Sequence, residues 1–193
     1  MAKIAIFGGT FNPFHIGHYE MLKCICGLDF IDKVFLTPDK IPPHKKCDFL
    51  ADDEHRIEMC RIISREFNKC ELCLIEFERE GKSYTYDTVC DLKQKYPNDI
   101  FYWVIGGDML ETLDKWYNFN ALFKNISFIA FARGDINKAK LDAEKMRKLG
   151  ANITLLDTQI TDISSTEFRN NKKEYMLPPK IYDYIIYKGI YNE

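Results

Sequence analysis

KIAIFGGTFNPFHIGHYEMLKCICGL, residues 3–28, decides how the rest of the chain is read. The apolar run KIAIF predicts a strand, and IGHYEMLKCICGL, with apolar residues near a 3.6 period, predicts a helix. Between and into them fall two adjacent glycines and two of the chain's four histidines. The alternation then repeats. KVFLTP (33–38), CELCLIEFE (70–78), DIFYWVIGG (99–107), NISFIAFARG (125–134) and ANITLLDT (151–158) read as strands. Helices are expected in 51–67, whose acidic start suits the N-terminal dipole, in 83–96 with Ser83 or Thr85 as cap, and in 136–150, closed by Gly150. DMLETLDKW (108–116) reads as a short helix, ISSTEFRNN (163–171) as a helix start, and PPKIYDYIIYKGIY (178–191) as a terminal helix. Strands alternating with helices predict an α/β fold, a Rossmann-like, doubly wound parallel sheet covered on both faces. Neither repeat nor linker interrupts it, so one domain is expected over residues 1–193.

With 193 residues, 46% of them hydrophobic and 29% charged, the chain can bury a full core. A net charge of -2 gives no electrostatic case for a nucleic-acid partner. The start, MAKIAIF, has no signal-peptide pattern, and no apolar run approaches bilayer length, so a cytoplasmic protein without a membrane partner is expected. Seven cysteines, an odd number, argue against a disulfide scaffold. Only Cys70 and Cys73 have CxxC spacing, and strand alternation sends their sulfurs to opposite faces, so reduced thiols and no metal site are expected.

In sheets of this kind ligands gather beyond the carboxyl ends of the strands. Gly8 and Gly9 sit at that end of the first strand, where a missing Cβ admits a ligand to the backbone. His15 and His18, at i and i+3, share a face of the following helical turn, whose N–H groups and dipole already favour an anion. Imidazoles there can donate to phosphate oxygens. A GxGxxG fingerprint and a GxxxxGK[ST] loop are both absent. Late in the chain Ser164, Ser165 and Thr166 open another helix, with Arg169 one turn on, a second pole for a polyphosphate. Asp108 follows paired glycines, either as an acceptor for sugar hydroxyls or as an N-cap.

Read as motifs, GGTFNPFHIGH resembles the (H/T)xGH signature of the nucleotidylyltransferase superfamily in its form GGTFDPxHxGH. Class I aminoacyl-tRNA synthetases share HIGH but pair it with a KMSKS loop, which this chain lacks. IPPHKK resembles a PHK loop, SYTYDT resembles SYTxDT, GGDMLETLDKWYN resembles GADxLxxLxxWxx, and ISSTEFR resembles ISSTxIR. All five motifs, in order, are similar to those of the bacterial nicotinate mononucleotide adenylyltransferase family. Two departures are visible, Asn12 for Asp and Gly107 for Ala.

That resemblance implies AMP transfer from ATP to nicotinate mononucleotide, with Mg²⁺ arriving on ATP, and catalysis by His15, His18 and Arg169. It implies ATP contacts at Gly8, Gly9, Thr10, Phe11, Gly106, Asp108, Arg133, Ile163, Ser164, Ser165 and Thr166. For the mononucleotide it implies Lys45 at the phosphate (with Lys46 or His44 as substitutes), Trp116 stacked on the ring, and backbone N–H groups around Thr85 and Tyr117 at the carboxylate. A sister enzyme using phosphopantetheine or nicotinamide mononucleotide, and a non-catalytic nucleotide- or zinc-binding module, stand as alternatives. The aromatic tail is expected to close the core, with a homo-oligomer interface as its other use.

Overall fold

The structure, a computed structural model, describes residues 1–41, 49–132, 135–158 and 160–191. Its strands are β1 (Lys3–Gly9), β2 (Lys33–Pro38), β3 (Cys70–Leu72), β4 (Ile100–Gly106), β5 (Ser127–Phe131) and β6 (Asn152–Leu156). Its α-helices are α1 (Ile16–Cys26), α2 (Asp53–Ser64), α3 (Thr85–Lys95), α4 (Phe119–Asn125), α5 (Ile136–Lys148), α6 (Ser165–Asn171) and α7 (Pro179–Lys188). The strands form one sheet in the order β3-β2-β1-β4-β5-β6, and every neighbouring pair is parallel. Strand order therefore reverses between β1 and β4, which opens a crevice at their carboxyl ends.

The strand residues alternate between two cores. Ile4 and Ile6 of β1 join Phe35, Trp103 and Ile105 beneath α3, α4 and α5. Ala5 and Phe7 join Val34, Leu36 and Val104 beneath α1, α2, α6 and α7. Burial on both faces explains why β1, β2 and β4 read as nearly unbroken apolar runs. In α7, Ile181 and Ile185 close the second core, while Tyr187 on the other face is 83% exposed.

Several expectations need correction. The strand expected over 70–78 stops at Leu72, and a 3₁₀ turn follows at Ile75–Glu78, which carries Glu76 inward. The helix expected over 108–116 is a 3₁₀ segment, Gly107–Lys115, whose N-cap is Gly106, so Asp108 is not the cap. Neither Ser83 nor Thr85 caps α3. Tyr84 holds that position, and Ser83 Oγ instead accepts from the Lys40 and Ile41 N–H groups. Helix α4 was not anticipated; it is entered through Asn118 in the left-handed region (φ 53°), a turn that asparagine tolerates.

Candidate active site

The histidine pair is built by the helix it begins. His15 is the N-cap of α1 and His18 its third residue. The His18 N–H donates to His15 Nδ1, and the His15 N–H donates to His18 Nδ1, both at 3.3 Å. This is a capping box made by two imidazoles, and it sets both rings on one side of the first turn, where they line one cavity. Because each Nδ1 accepts from the backbone, a neutral ring carries its proton on Nε2. The rings stack with centroids 3.5 Å apart, and Phe11 and Phe14 pack around His18 at 5.0 and 5.3 Å. Two preorganised N–H donors result, held in an apolar collar.

Gly17 lets the two ends of the chain meet. A Cβ there would lie 2.8 Å from the Thr161 carbonyl oxygen. Glu20, one turn on, accepts from the Thr161 N–H and hydroxyl at 2.6 and 2.8 Å. Helix α6 is thereby brought against the β1–α1 loop, where Ser165 Oγ donates to the Pro13 carbonyl at 2.9 Å. Arg169 Nη1 donates to the Asn12 carbonyl at 2.6 Å, and its Nη2 to Thr166 Oγ1 at 3.0 Å. Ser165 thus spends its hydroxyl proton on the loop, where the sequence suggested a phosphate donor.

Two adjoining cavities occupy the crevice. The first, about 230 Å³, is lined by His15, His18, Gly106, Asp108, Ser164, Ser165, Thr166 and Arg169. The second, about 170 Å³, is lined by Trp103, Trp116, Tyr117, Ser83, Tyr84, Thr85, Asp39 and Glu76. Gly8, Gly9, Thr10, Val104 and Met109 border both. A Cβ on Gly8 would approach the Trp103 ring to 2.9 Å, so glycine is what lets the shared wall lie flat on β4. Phe11, also expected here, lines the histidine cavity; Ile163 does not, being 7% exposed and packed in the core. Lys45 and Arg133 lie outside the described residues.

Beneath the shared wall is Arg56, fully buried on α2. Its Nη1 donates to the carbonyls of Thr10 (3.0 Å) and Asp39 (2.7 Å) and meets Asp39 Oδ1 at 3.3 Å. Its Nη2 donates to the Lys40 carbonyl and pairs with Asp53. Thr10 Oγ1 donates to the other oxygen of Asp39 at 3.0 Å. One guanidinium therefore ties the ends of β1 and β2 to α2. Sequence reasoning missed Arg56, because an arginine in an acidic amphipathic helix reads as solvated. Asp39 and Glu76 were missed too; Glu76, between Ile75 and Phe77, reads as the polar face of a strand.

Burial pushes the Cys70 thiol up to about 12 and the Cys26 thiol up to about 11, and the Cys60 and Cys73 thiols are raised by the same cause. These sulfurs are protonated and inert at neutral pH. Among the described residues no group of three or more His, Cys, Asp or Glu could hold a metal ion, and no helix is long and apolar enough to cross a membrane.

A parallel sheet whose switch point joins a cavity of imidazole, hydroxyl and guanidinium groups to an aromatic one suits an α/β nucleotidyltransferase. The model of the cytidylyltransferase-like family matches residues 6–171. The chain is 38% identical to a probable nicotinate-nucleotide adenylyltransferase of Listeria welshimeri, over 99% of this chain and 98% of that one. It is 37% identical to the nicotinate-nucleotide adenylyltransferase of Bacillus subtilis, over the whole of both. Among solved structures it is similar to the Plasmodium falciparum nicotinic acid mononucleotide adenylyltransferase complexed with NaAD (TM-score 0.81, 25% identity, 100% of this chain and 98% of that one). The same enzyme complexed with APC gives a TM-score of 0.82 at 26% identity, with the same coverage. The chain belongs to the nicotinate-nucleotide adenylyltransferase family.

Proposed function

We propose that this protein transfers the adenylyl group of ATP to nicotinate mononucleotide, forming nicotinate adenine dinucleotide and releasing pyrophosphate. One observation carries the reading. A cavity of imidazole, hydroxyl and guanidinium groups and a cavity walled by Trp116 and Tyr117 share the strip Gly8–Thr10. Two substrates seated on either side of that strip bring their phosphates together over it.

In this reading the triphosphate takes the histidine cavity and the mononucleotide the tryptophan cavity. A phosphate oxygen of the mononucleotide attacks the α-phosphorus of ATP in line, and the bond from that phosphorus to the β-phosphate bridge breaks. A phosphate monoester is already anionic at neutral pH, so no general base is needed, and catalysis is positioning plus charge stabilisation. The Nε2–H groups of His15 and His18 donate to α- and β-phosphate oxygens, where charge grows in the transition state. Arg169, held by Asn12 and Thr166, faces the departing pyrophosphate. Its fixed fork loses little entropy on meeting that anion. Among the described residues, Asp108 is the one carboxylate lining the triphosphate cavity. One carboxylate together with phosphate oxygens suits Mg²⁺, which we take to arrive with ATP. Trp116 offers its face to the electron-poor nicotinate ring, and backbone N–H groups at Thr85 and Tyr117 offer donors to the carboxylate. Charged, soluble substrates fit a cytoplasmic enzyme.

The test is product formation from ATP and nicotinate mononucleotide, followed by chromatography of the dinucleotide and by pyrophosphate release. Parallel reactions contain nicotinamide mononucleotide or phosphopantetheine. Turnover fastest with the nicotinate substrate is expected. Preference for phosphopantetheine, or no turnover with any acceptor, overturns the reading.

A further inference from the structure

The tryptophan cavity contains a donor that the proposed reaction does not use. Trp103 of β4 lies in register with Ile6 and turns its side chain into the core beneath α3, α4 and α5. It is 6% exposed and lines the cavity from that side. Gly8 fixes which edge of the ring it shows. A Cβ on Gly8 would meet Cζ2 at 2.9 Å, Cη2 at 3.3 Å and Cε2 at 3.7 Å, so the edge against the strip Gly8–Thr10 is the one that adjoins Nε1.

That N–H has no acceptor among the described residues, yet it is not sealed in. It keeps accessible surface, unlike Glu76 Oε2 in the same wall, which is closed off. The acceptors around the cavity are engaged elsewhere. Asp39 receives Arg56 and Thr10, Glu76 Oε1 receives the Thr88 hydroxyl, and Ser83 Oγ receives the Lys40 and Ile41 N–H groups. A tryptophan buried this deeply ordinarily gives its N–H a partner, and a native site that withholds one needs a reason. An open donor on an otherwise buried ring, in the wall of a substrate cavity, calls for an oxygen on the substrate.

Resting on the acceptor proposed above, we infer that Trp103 is a substrate-binding residue whose Nε1–H donates to an anionic oxygen of nicotinate mononucleotide. Trp116 offers that substrate the face of an indole, and Trp103 offers an edge. An indole nitrogen only donates, so it serves a carboxylate or phosphate oxygen and gives nothing to a carboxamide NH2. Its setting among buried apolar side chains strengthens a bond to an anion relative to the same bond in water. The substrate carries two anionic groups, the ring carboxylate and the phosphate brought to the strip at Gly8, and omitting each in turn tells them apart.

The chain has two tryptophans, so a proton–nitrogen correlation spectrum of the intact enzyme holds two indole cross-peaks, assigned with Trp103→Phe or Trp116→Phe. At saturating nicotinate mononucleotide the Trp103 indole proton is expected to move downfield and to exchange more slowly with water. Nicotinamide mononucleotide and nicotinate riboside, each at saturation, lack one anion apiece. A shift kept with the first and lost with the second places the bond on the phosphate; the converse places it on the carboxylate. A shift kept with both overturns the inference, because neither anion is then needed. Trp103→Phe keeps an aromatic ring in the core and deletes the donor. KM for nicotinate mononucleotide should rise about tenfold, the scale of one hydrogen bond to a charged group, with KM for ATP unchanged. A Trp103 indole proton that stays in place in saturated wild type, with the dinucleotide still made, overturns the inference and leaves the proposed function standing. That result does not need a folded Trp103→Phe, since Trp116→Phe also gives the assignment. Wild type that turns over no mononucleotide fails the proposed function, and this inference with it.

Discussion

At His18 the ring's Nδ1 accepts from the His15 amide, so a neutral ring carries its proton on Nε2, the donor that the proposed reaction gives to a phosphate. His18→Ala removes both bonds, and the two losses differ greatly in size. An N-terminal capping interaction is worth about 1 kcal/mol, roughly 2–4 °C in Tm for a chain of this length. A preorganised transition-state donor is worth about 10²–10³ in kcat. The expected variant is therefore folded, slightly less heat-stable and nearly inactive, as melting curves and initial rates would show; a kcat within twofold of wild type removes His18 from the chemistry. Arg56 is the opposite kind of residue, with large structural and no chemical duty. Arg56→Met removes the buried cation that pairs with Asp39 and Asp53, at a cost of about 3–5 kcal/mol. Adding Asp39→Asn should recover part of that loss in a urea titration, because one of the two carboxylate charges facing the buried position is then gone. Equal stability of the single and double variants contradicts the pairing.

Between α1 and the segment leading into α6, contact depends on one missing methyl group. Gly17→Ala would place a Cβ 2.8 Å from the Thr161 carbonyl, backbone that cannot swing aside as a side chain would. The segment must shift, carrying Ser164–Thr166 and Arg169 away from the histidines. We expect kcat/KM for ATP to fall by about tenfold or more, since small misplacements of binding groups are costly, while affinity for the mononucleotide holds. An unchanged ATP profile would show that this approach is not needed. The same element shows what a sequence can and cannot disclose. GGTFNPFHIGH and ISSTEFR stood out in the sequence because their residue types carry local chemistry, and the structure sets both turns at one cavity. That Gly17 is the point where they touch, 144 residues apart from Thr161, is tertiary and leaves no local trace. Strands buried on both faces were legible as apolar runs. The truncation of β3 was not, because CELCLIEFE alternates like a strand while its Glu76 turns inward to a hydroxyl on α3.

Across the whole molecule, the β1–α1 loop, the segment entering α2 and the C-terminal tail converge on buried Asn12. Its Nδ2 donates to the Phe49 carbonyl at 2.8 Å, and its Oδ1 accepts from the Ala51 N–H at 3.1 Å and the Tyr191 hydroxyl at 2.7 Å. Its own carbonyl receives Arg169. Asparagine, where related motifs carry aspartate, fits this setting because it supplies a donor and an acceptor together. The tail thus does more than cover the core with Ile181 and Ile185: Tyr191 bonds the side chain of the same Asn12 whose carbonyl receives Arg169, at the edge of the histidine cavity. Tyr191→Phe keeps the ring packed against Phe49 and Phe168 and deletes only the hydroxyl. Asn12 Oδ1 retains the Ala51 N–H, so nothing is left orphaned, and the loss is that of one hydrogen bond, about 0.5–1.5 kcal/mol. Tm should fall by roughly 1–6 °C. Because Arg169 leans on the Asn12 backbone, KM for ATP should rise about two- to fivefold, within the cost of one weakened hydrogen bond, with KM for nicotinate mononucleotide unchanged. A lower Tm with both KM values intact would confine the tail to packing and detach it from the triphosphate site.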